Sequence, residues 1–155
     1  TAGSADKCAA IAKLGAEPIN YREQDFADVI AQKTGDKGVD VILETIGAEV
    51  FDQNFECLAM LGRCVVAGST RGPGQPLAPR QLMAKAQTLA GVYLPTFFQR
   101  PALIRQALEF LAHGVSSGSI RPVIGATLPL SEASEAHALL ARREVQGVIV
   151  LDPNR

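Results

Sequence analysis

Apolar residues along this chain alternate between helical spacing and short, nearly continuous runs. Phe26, Val29 and Ile30 would share one face of a helix. The run from Val39 to Glu44 is typical of a strand buried on both faces of a parallel sheet. The same reasoning predicts helices over residues 5–14, 25–34, 51–61, 101–112 and 132–140, and strands over 18–21, 39–44, 63–67, 88–93 and 148–151.

Strands that alternate with helices of this length predict a doubly wound parallel sheet of the Rossmann type. Such a sheet carries a glycine-rich G-x-G-x-x-G loop after its first strand, and this sequence contains none. The chain opens with Thr1-Ala2-Gly3-Ser4 before a helix, which is typical of the end of the second strand. We therefore expect the first, central strand to be missing, with residues 18–21 and 39–44 on opposite sides of the gap. A complete protein would be about twice this size or more.

Composition narrows the class of protein further. Of the 155 residues, 47% are hydrophobic and 20% are charged, which suits a globular domain with its own core. Fifteen basic and sixteen acidic residues nearly cancel, so no strong field favours nucleic acid or an anionic membrane. Cys8, Cys57 and Cys64 lack CxxC spacing, which argues against a disulfide scaffold or a metal site. We therefore expect a reducing, cytoplasmic compartment.

The most informative candidate site is Gly3-Ser4 followed by Lys7. NAD enzymes place an acid at the end of the second strand, whereas NADP enzymes must accommodate a phosphate there. Ser4 also suits an ordinary helix N-cap. Lys7 fits capping less well, because the helix dipole disfavours a cation in the first turn. A bound phosphate would reverse that preference, although Asp6 could instead meet a ribose.

Further candidates lie where other predicted strands end. Tyr21 would either cover an adenine or pack at the rim of the core. The segments Glu44-Thr45-Ile46-Gly47 and Ala67-Gly68-Ser69-Thr70 each end an apolar strand with a glycine-containing turn. Ligands of open α/β sheets bind outside these carboxyl ends. Both turns are equally compatible with tight connections that bind nothing. A Gly/Pro-rich loop over 71–76 follows the second of them.

The histidines and serines elsewhere favour structural roles. His113, followed by Gly114, is predicted to lie near a helix end as a C-terminal cap or a partner of the helix dipole, rather than as a ligand. His137 is predicted to be a packed or surface residue of another helix. The two are far apart in sequence without acidic partners, so neither a metal site nor a catalytic triad is expected. The serines of 116–119 predict a turn without the features of a nucleophile elbow.

Several of these segments resemble the zeta-crystallin-like NADPH:quinone oxidoreductases of the medium-chain dehydrogenase/reductase superfamily. The shared segments, in the family's order, are Thr1-Ala2-Gly3-Ser4 with Lys7, Leu14-Gly15-Ala16, Ile19-Asn20-Tyr21, Gly38-Val39-Asp40, Gly62-Arg63 with Val66-Ala67-Gly68-Ser69, and Pro129-Leu130 with Glu135-Ala136-His137. One departure is Val148, after Gly147, where the family usually has Lys or Arg. The resemblance covers essentially the whole chain.

The resemblance implies a role for each part of the chain. Residues 1–125 would be a partial NADP(H)-binding Rossmann domain, and 126–155 a helix and strand that return to an absent N-terminal catalytic domain. The 2′-phosphate and adenosine of NADPH would meet one group of candidates, and its nicotinamide half the others. The candidate cofactor-binding residues are Gly3, Ser4, Lys7, Tyr21, Thr45, Ala67, Gly68, Ser69, Thr70, Val92, Tyr93 and Leu94. No catalytic residue is identified.

The activity implied by the resemblance is hydride transfer from NADPH to a quinone or an α,β-unsaturated carbonyl, without zinc. The alternatives are an enoyl reductase of the same superfamily, free-standing or within a synthase, and a non-catalytic NADPH-binding protein. The strand at 88–93 has neither proline nor charge, so we expect edge-to-edge pairing in a homodimer. Neither nucleic acid nor a membrane is an expected partner.

Overall fold

The computed structural model describes residues 1–72, 76–142 and 144–155. Helices and strands alternate along it, as predicted for an α/β fold. The helices are α1 Ala5–Lys13, α2 Phe26–Thr34, α3 Phe51–Cys57, α4 Pro79–Ala84, α5 Leu94–Phe97, α6 Pro101–Ser117 and α7 Ala133–Arg142. The strands are β1 Val39–Glu44, β2 Leu58–Val66, β3 Thr88–Gly91, β4 Ile124–Pro129 and β5 Val148–Asp152. Short 3-10 turns, Ala48–Val50 and Leu130–Glu132, precede α3 and α7.

The chain folds as two compact units, residues 1–96 and 97–155. The first contains a three-stranded parallel sheet in the order β1-β2-β3. The second contains β4 and β5, which pair in parallel. Helix α7 connects them along the chain. The boundary expected after residue 125 falls inside β4. The roles expected of 1–125 and 126–155 stay predictions.

The sheet of the first unit has a gap at the expected place. Ala2 N donates to Ile19 O at 2.9 Å and Tyr21 N donates to Ala2 O at 3.1 Å, so Ala2 and Asn20 form a parallel bridge. Within the described ranges, β1 pairs with β2 alone. The bridge and β1 therefore belong to separate groups of strands. This is the arrangement of a Rossmann sheet without its central strand.

The exposure of its side chains corrects one expectation about β1. The sequence predicted burial on both faces, but Val41 is 55% exposed and Leu43 is 76% exposed. Val41 and Leu43 lie on the same face of the sheet, and the described residues leave that face largely uncovered. On the opposite face the core is formed by Phe55, Leu58 and Cys64. Packed against it are Ile42, Phe51, Val66, Leu77 and Leu82.

Helix α3 ends earlier than its apolar spacing predicted. Instead of continuing to Gly62 it stops at Cys57, and Leu58 is already extended at the start of β2. The cause lies elsewhere in the chain. The side-chain amide of Gln87 donates to Phe55 O at 3.2 Å and to Leu58 O at 2.8 Å. These two carbonyls, which a longer helix would have used, are satisfied by the segment before β3.

Helix α6, in contrast, is longer than predicted. It runs through His113 to Ser117 and ends at Gly118, which is left-handed with φ 74°. The expected role of His113 as a helix cap is therefore wrong. Gly114 is buried within the helix because the side chain of Ile120 occupies the space that a Cβ would need.

Other boundaries agree with the sequence. Asp25 caps α2, with Oδ1 accepting from Ala27 N at 2.8 Å, and Gly35 ends it with φ 58°. The loop predicted over 71–76 lies partly outside the described residues. No helix in the described part of the chain is both long and apolar enough to cross a membrane.

Candidate cofactor-binding site

Gly3 and Tyr21 are in direct contact where the Ala2–Asn20 bridge ends. A Cβ on Gly3 would lie 2.5 Å from Tyr21 Oη and 2.8 Å from Tyr21 Cζ. A larger residue would displace the tyrosine ring, so glycine permits this close approach. Tyr21 is 40% exposed, which leaves part of its ring accessible. Two of the predicted site residues are thus brought together.

Ser4 and Lys7 lie beside this contact, at the start of α1. Ser4 is extended and its Oγ accepts from Lys7 N at 3.4 Å, so it caps the nine-residue helix. The capping role weighed from the sequence is therefore present. It does not compete with ligand binding, because a serine hydroxyl that accepts one hydrogen bond can still donate another. Both side chains are half-buried, whereas Asp6 is exposed.

Arg22 is a candidate that the sequence reasoning missed. Its Nε lies 3.4 Å from the position that a Cβ on Gly3 would occupy. Arg22 and Tyr21 therefore both lie close to the backbone of Gly3. Arg22 N donates to the buried Asn20 Oδ1 at 3.2 Å, which holds the turn. No described carboxylate forms a salt bridge with Arg22. The available signal was a basic residue directly after the tyrosine that ends a strand.

The turns after β1 and β2 form a single hydrogen-bonded structure. Thr70 N and Thr70 Oγ1 both donate to Thr45 O at 3.2 Å. Arg71 N donates to Ile46 O at 2.9 Å, and Ala48 N donates to Gly72 O at 3.2 Å. We call residues 45–48 and 67–72 the strand-end platform. It unites the predicted residues Thr45, Ala67, Gly68, Ser69 and Thr70.

The glycines of the platform are explained first by the contact between its two turns. Gly47 has φ 73°, and a Cβ there would overlap Gly72 O and lie 2.6 Å from Ser69 Oγ. A Cβ on Gly68 would lie 3.3 Å from Thr45 O. Ser69 Oγ itself donates to Gly72 O, so its proton is used within the loop. The two turns are therefore closely packed against each other at the sheet edge.

The last predicted residues leave the sheet at the same edge. β3 runs parallel to β2, and Val92 N donates to Val66 O at 2.8 Å. Tyr93 is 70% exposed and Leu94 is 60% exposed. They therefore lie beside the platform at the carboxyl ends of the strands. The site residues thus form two groups, one around Gly3 and one around the platform, on either side of the gap in the sheet.

The buried thiols are poor candidates for chemistry. Burial, with smaller contributions from Glu56 and Asp25, raises the pKa of Cys57 to about 11. Burial first, and then Glu44, also raises the pKa of Cys64. Both thiols therefore stay protonated at neutral pH, and a protonated thiol is neither a nucleophile nor a metal ligand.

Comparison with known proteins now places the chain. A family model described as a zinc-binding dehydrogenase matches residues 14–151. The chain belongs to this family. Among its relatives, a 2-haloacrylate reductase from Burkholderia sp. is 32% identical, over 99% of this chain and 47% of the relative. A quinone oxidoreductase from Rattus norvegicus is 36% identical, over 88% of this chain and 41% of the relative.

A solved structure supports the same placement. The Escherichia coli quinone oxidoreductase complexed with NADPH has a TM-score of 0.86 and 28% identity, over 97% of this chain and 48% of that protein. The chain spans about half the length of the curated relatives it matches. It corresponds to the C-terminal half of a medium-chain dehydrogenase/reductase, with a Rossmann-type fold. The resemblance to the quinone oxidoreductases is confirmed.

The zinc ion in the family's name has no matching site among the described residues. The described residues contain no group of three or more His, Cys, Asp or Glu side chains placed to hold a metal ion. A zinc site needs three or four such ligands. A nicotinamide cofactor does fit, because the sheet edge combines an accessible tyrosine, basic side chains and a helix N-terminus.

Proposed function

We propose that this chain is the NADPH-binding half of an oxidoreductase that transfers a hydride to a quinone or an α,β-unsaturated carbonyl, independently of zinc. The observation that supports the cofactor is the cluster at the end of the Ala2–Asn20 bridge. There, Gly3 stands where an NAD enzyme would have an acid, and Arg22 lies against its backbone. The enzymatic role is supported by relatives that are themselves oxidoreductases.

Within this proposal the first group of residues binds the adenosine end of the cofactor. Ser4, Lys7 and Arg22 hold the 2′-phosphate, and the N-terminus of α1 adds the favourable end of its dipole. A phosphate that accepts hydrogen bonds from charged donors is held about twice as strongly as one that accepts from neutral donors. Tyr21 covers the adenosine with its accessible ring. Selectivity for NADPH over NADH would follow from the two cations.

The second group binds the other half of the cofactor. The platform lines the path from the pyrophosphate to the nicotinamide ribose, and Val92, Tyr93 and Leu94 border the ring. When bound, NADPH supplies the hydride. The contribution of this chain is to hold the cofactor in place and to exclude water from one side of it.

An electron-poor double bond is the feature we propose for the acceptor. The similar proteins are named for quinones and for 2-haloacrylate. Both of these compounds contain a carbon–carbon double bond conjugated to a carbonyl or carboxyl group. An enoyl reductase would act on the same kind of bond and is therefore the alternative that these relatives favour. A non-catalytic NADPH-binding protein would use the same site without turnover.

A homodimer in the cytoplasm completes the proposal. Of the described strands, β3 pairs with β2 alone, so its outer edge has no partner. The segment 88–93 has no charge or proline to protect that edge, and Leu89 on it is 36% exposed. Two copies that pair through β3 would join their sheets across a two-fold axis.

The proposal is tested on the full-length protein with purified cofactors. NADPH should be oxidised in the presence of a simple quinone or 2-chloroacrylate, and NADH should be oxidised much more slowly. A preference for NADH would refute the cofactor assignment. NADPH that binds without being oxidised by either acceptor would favour the non-catalytic alternative.

A further inference from the structure

A buried carboxylate lies directly beneath the strand-end platform. Glu44 is the last residue of β1 and only 3% exposed. Its Oε1 accepts from Gly47 N at 2.8 Å and also from Ile46 N. Its Oε2 accepts from Asn54 Nδ2 of α3, and Asn54 is itself 6% exposed. Burying a charged side chain is costly unless hydrogen-bond donors satisfy it. The three donors around Glu44 therefore have to stay in place.

The two backbone N–H groups that donate to Glu44 belong to peptide groups whose carbonyls are also hydrogen-bonded. Thr45 O and Ile46 N are part of one peptide group, and Ile46 O and Gly47 N are part of the next. Their carbonyls accept from Thr70 and from Arg71 N, as described above. A trans peptide is planar, with its N–H and C=O pointing in opposite directions. Glu44 on one side therefore fixes the direction in which both carbonyls point on the other.

We propose that Glu44, itself oriented by Asn54, is a positioning residue for cofactor binding. It fixes the two peptide groups after Thr45 and Ile46, and through them the position of residues 69–72 on the platform. This inference rests on the proposed function, because the platform is where we place the nicotinamide half of NADPH. Loss of the carboxylate frees both peptide groups to rotate, which breaks the bonds to Thr70 and Arg71 and disorganises the surface under the cofactor.

The role of Asn54 distinguishes this arrangement from an ordinary turn. An amide donates through its nitrogen and accepts through its oxygen, whereas a carboxylate only accepts. Glu44→Gln turns an NH2 group toward Asn54 Nδ2, so two donors face each other. Asn54→Asp instead places two acceptors together. The double variant Glu44→Gln with Asn54→Asp restores one donor opposite one acceptor.

The experiment measures the NADPH dissociation constant of the full-length protein and its unfolding midpoint in the same buffer. Each single variant should weaken NADPH binding about tenfold, the effect of losing a hydrogen bond to a charged group. The double variant should recover to within about threefold of wild type, because its donor and acceptor match again. If Glu44→Gln does not fold, Asn54→Ala, which removes only one of the three donors, replaces it.

A matched control separates positioning from general loss of stability. Gln87, on the segment before β3, donates through its buried amide to Phe55 O and Leu58 O at the C-terminal end of α3, away from the platform. Gln87→Ala removes this amide. It should lower the unfolding midpoint as much as the Glu44 variant does and leave NADPH binding unchanged. Three results overturn the inference: Glu44→Gln that binds NADPH like wild type, a double variant without recovery, or Gln87→Ala that weakens binding equally. A wild-type protein that binds no NADPH refutes the proposed function as well.

Discussion

Replacing Lys7 and Arg22 separately with alanine tests the proposed 2′-phosphate site most directly. NADPH and NADH differ only in that phosphate, so a side chain that contacts it alters the affinity for one cofactor and not for the other. A hydrogen bond to a charged group contributes about 1.5–3 kcal/mol, which corresponds to about a 10- to 150-fold change in affinity.

The two residues should differ in how much they contribute to the affinity for NADPH, because their exposure differs. Lys7 is half-buried in the first turn of α1, whereas Arg22 is exposed. Solvent screens the exposed charge more strongly than the half-buried one. Arg22→Ala should therefore weaken NADPH binding about tenfold, and Lys7→Ala should weaken it more. The effect of the double variant should be smaller than the sum of the two single effects, because in the proposed site both cations contact one phosphate.

The assay is the dissociation constant of each cofactor for the full-length protein, by fluorescence or calorimetry. Lys13→Ala is the control, because it removes the same charge from an exposed position in the last turn of the same helix. It should leave both constants unchanged. Equal losses of NADH and NADPH binding in Lys7→Ala and Arg22→Ala would refute the reasoning.

Three further predictions concern stability, metal and assembly. Gln87→Ala should lower the free energy of unfolding by about 1–3 kcal/mol, because Phe55 O loses the Gln87 donor and Leu58 O retains the longer bond from Lys85 Nζ at 3.3 Å; a change below about 0.5 kcal/mol in urea titration would contradict this. Exhaustive chelation should leave NADPH binding and turnover unchanged, and stoichiometric zinc lost together with activity would contradict it. The 155-residue chain alone should form dimers or larger assemblies without quinone reductase activity. Because Val92 N donates inward to Val66 O, the alternation of strand N–H groups points Leu89 N outward. Leu89→Pro should therefore dissociate the assembly in sedimentation, and a wild type that sediments as a monomer at micromolar concentration would exclude it.

Features determined by neighbouring residues could be predicted from the sequence. Asp25 and Gly35 mark the ends of α2 because a cap acts within one turn of its own helix. The alternation of helices and strands gave the fold class for a similar reason. The missing G-x-G-x-x-G loop also indicated the place of the gap in the sheet.

Features determined by distant residues could not be predicted. Helix α3 ends early because Gln87, on another segment, satisfies its carbonyls. Gly114 is accommodated inside α6 because Ile120 folds back onto it. In the candidate site, Arg22 approaches Gly3 only through the pairing of Ala2 with Asn20. Side chains that meet across the fold carry no local pattern for a sequence to show.

The edge of β1 that has no described partner is a place where a further strand could pair. Its exposed Val41 and Leu43 and its unpaired backbone favour any strand that can enter beside them. A peptide that supplies a strand at this edge should form a discrete complex with the chain in place of the predicted self-association. The edge would then be a position at which association of the chain can be controlled.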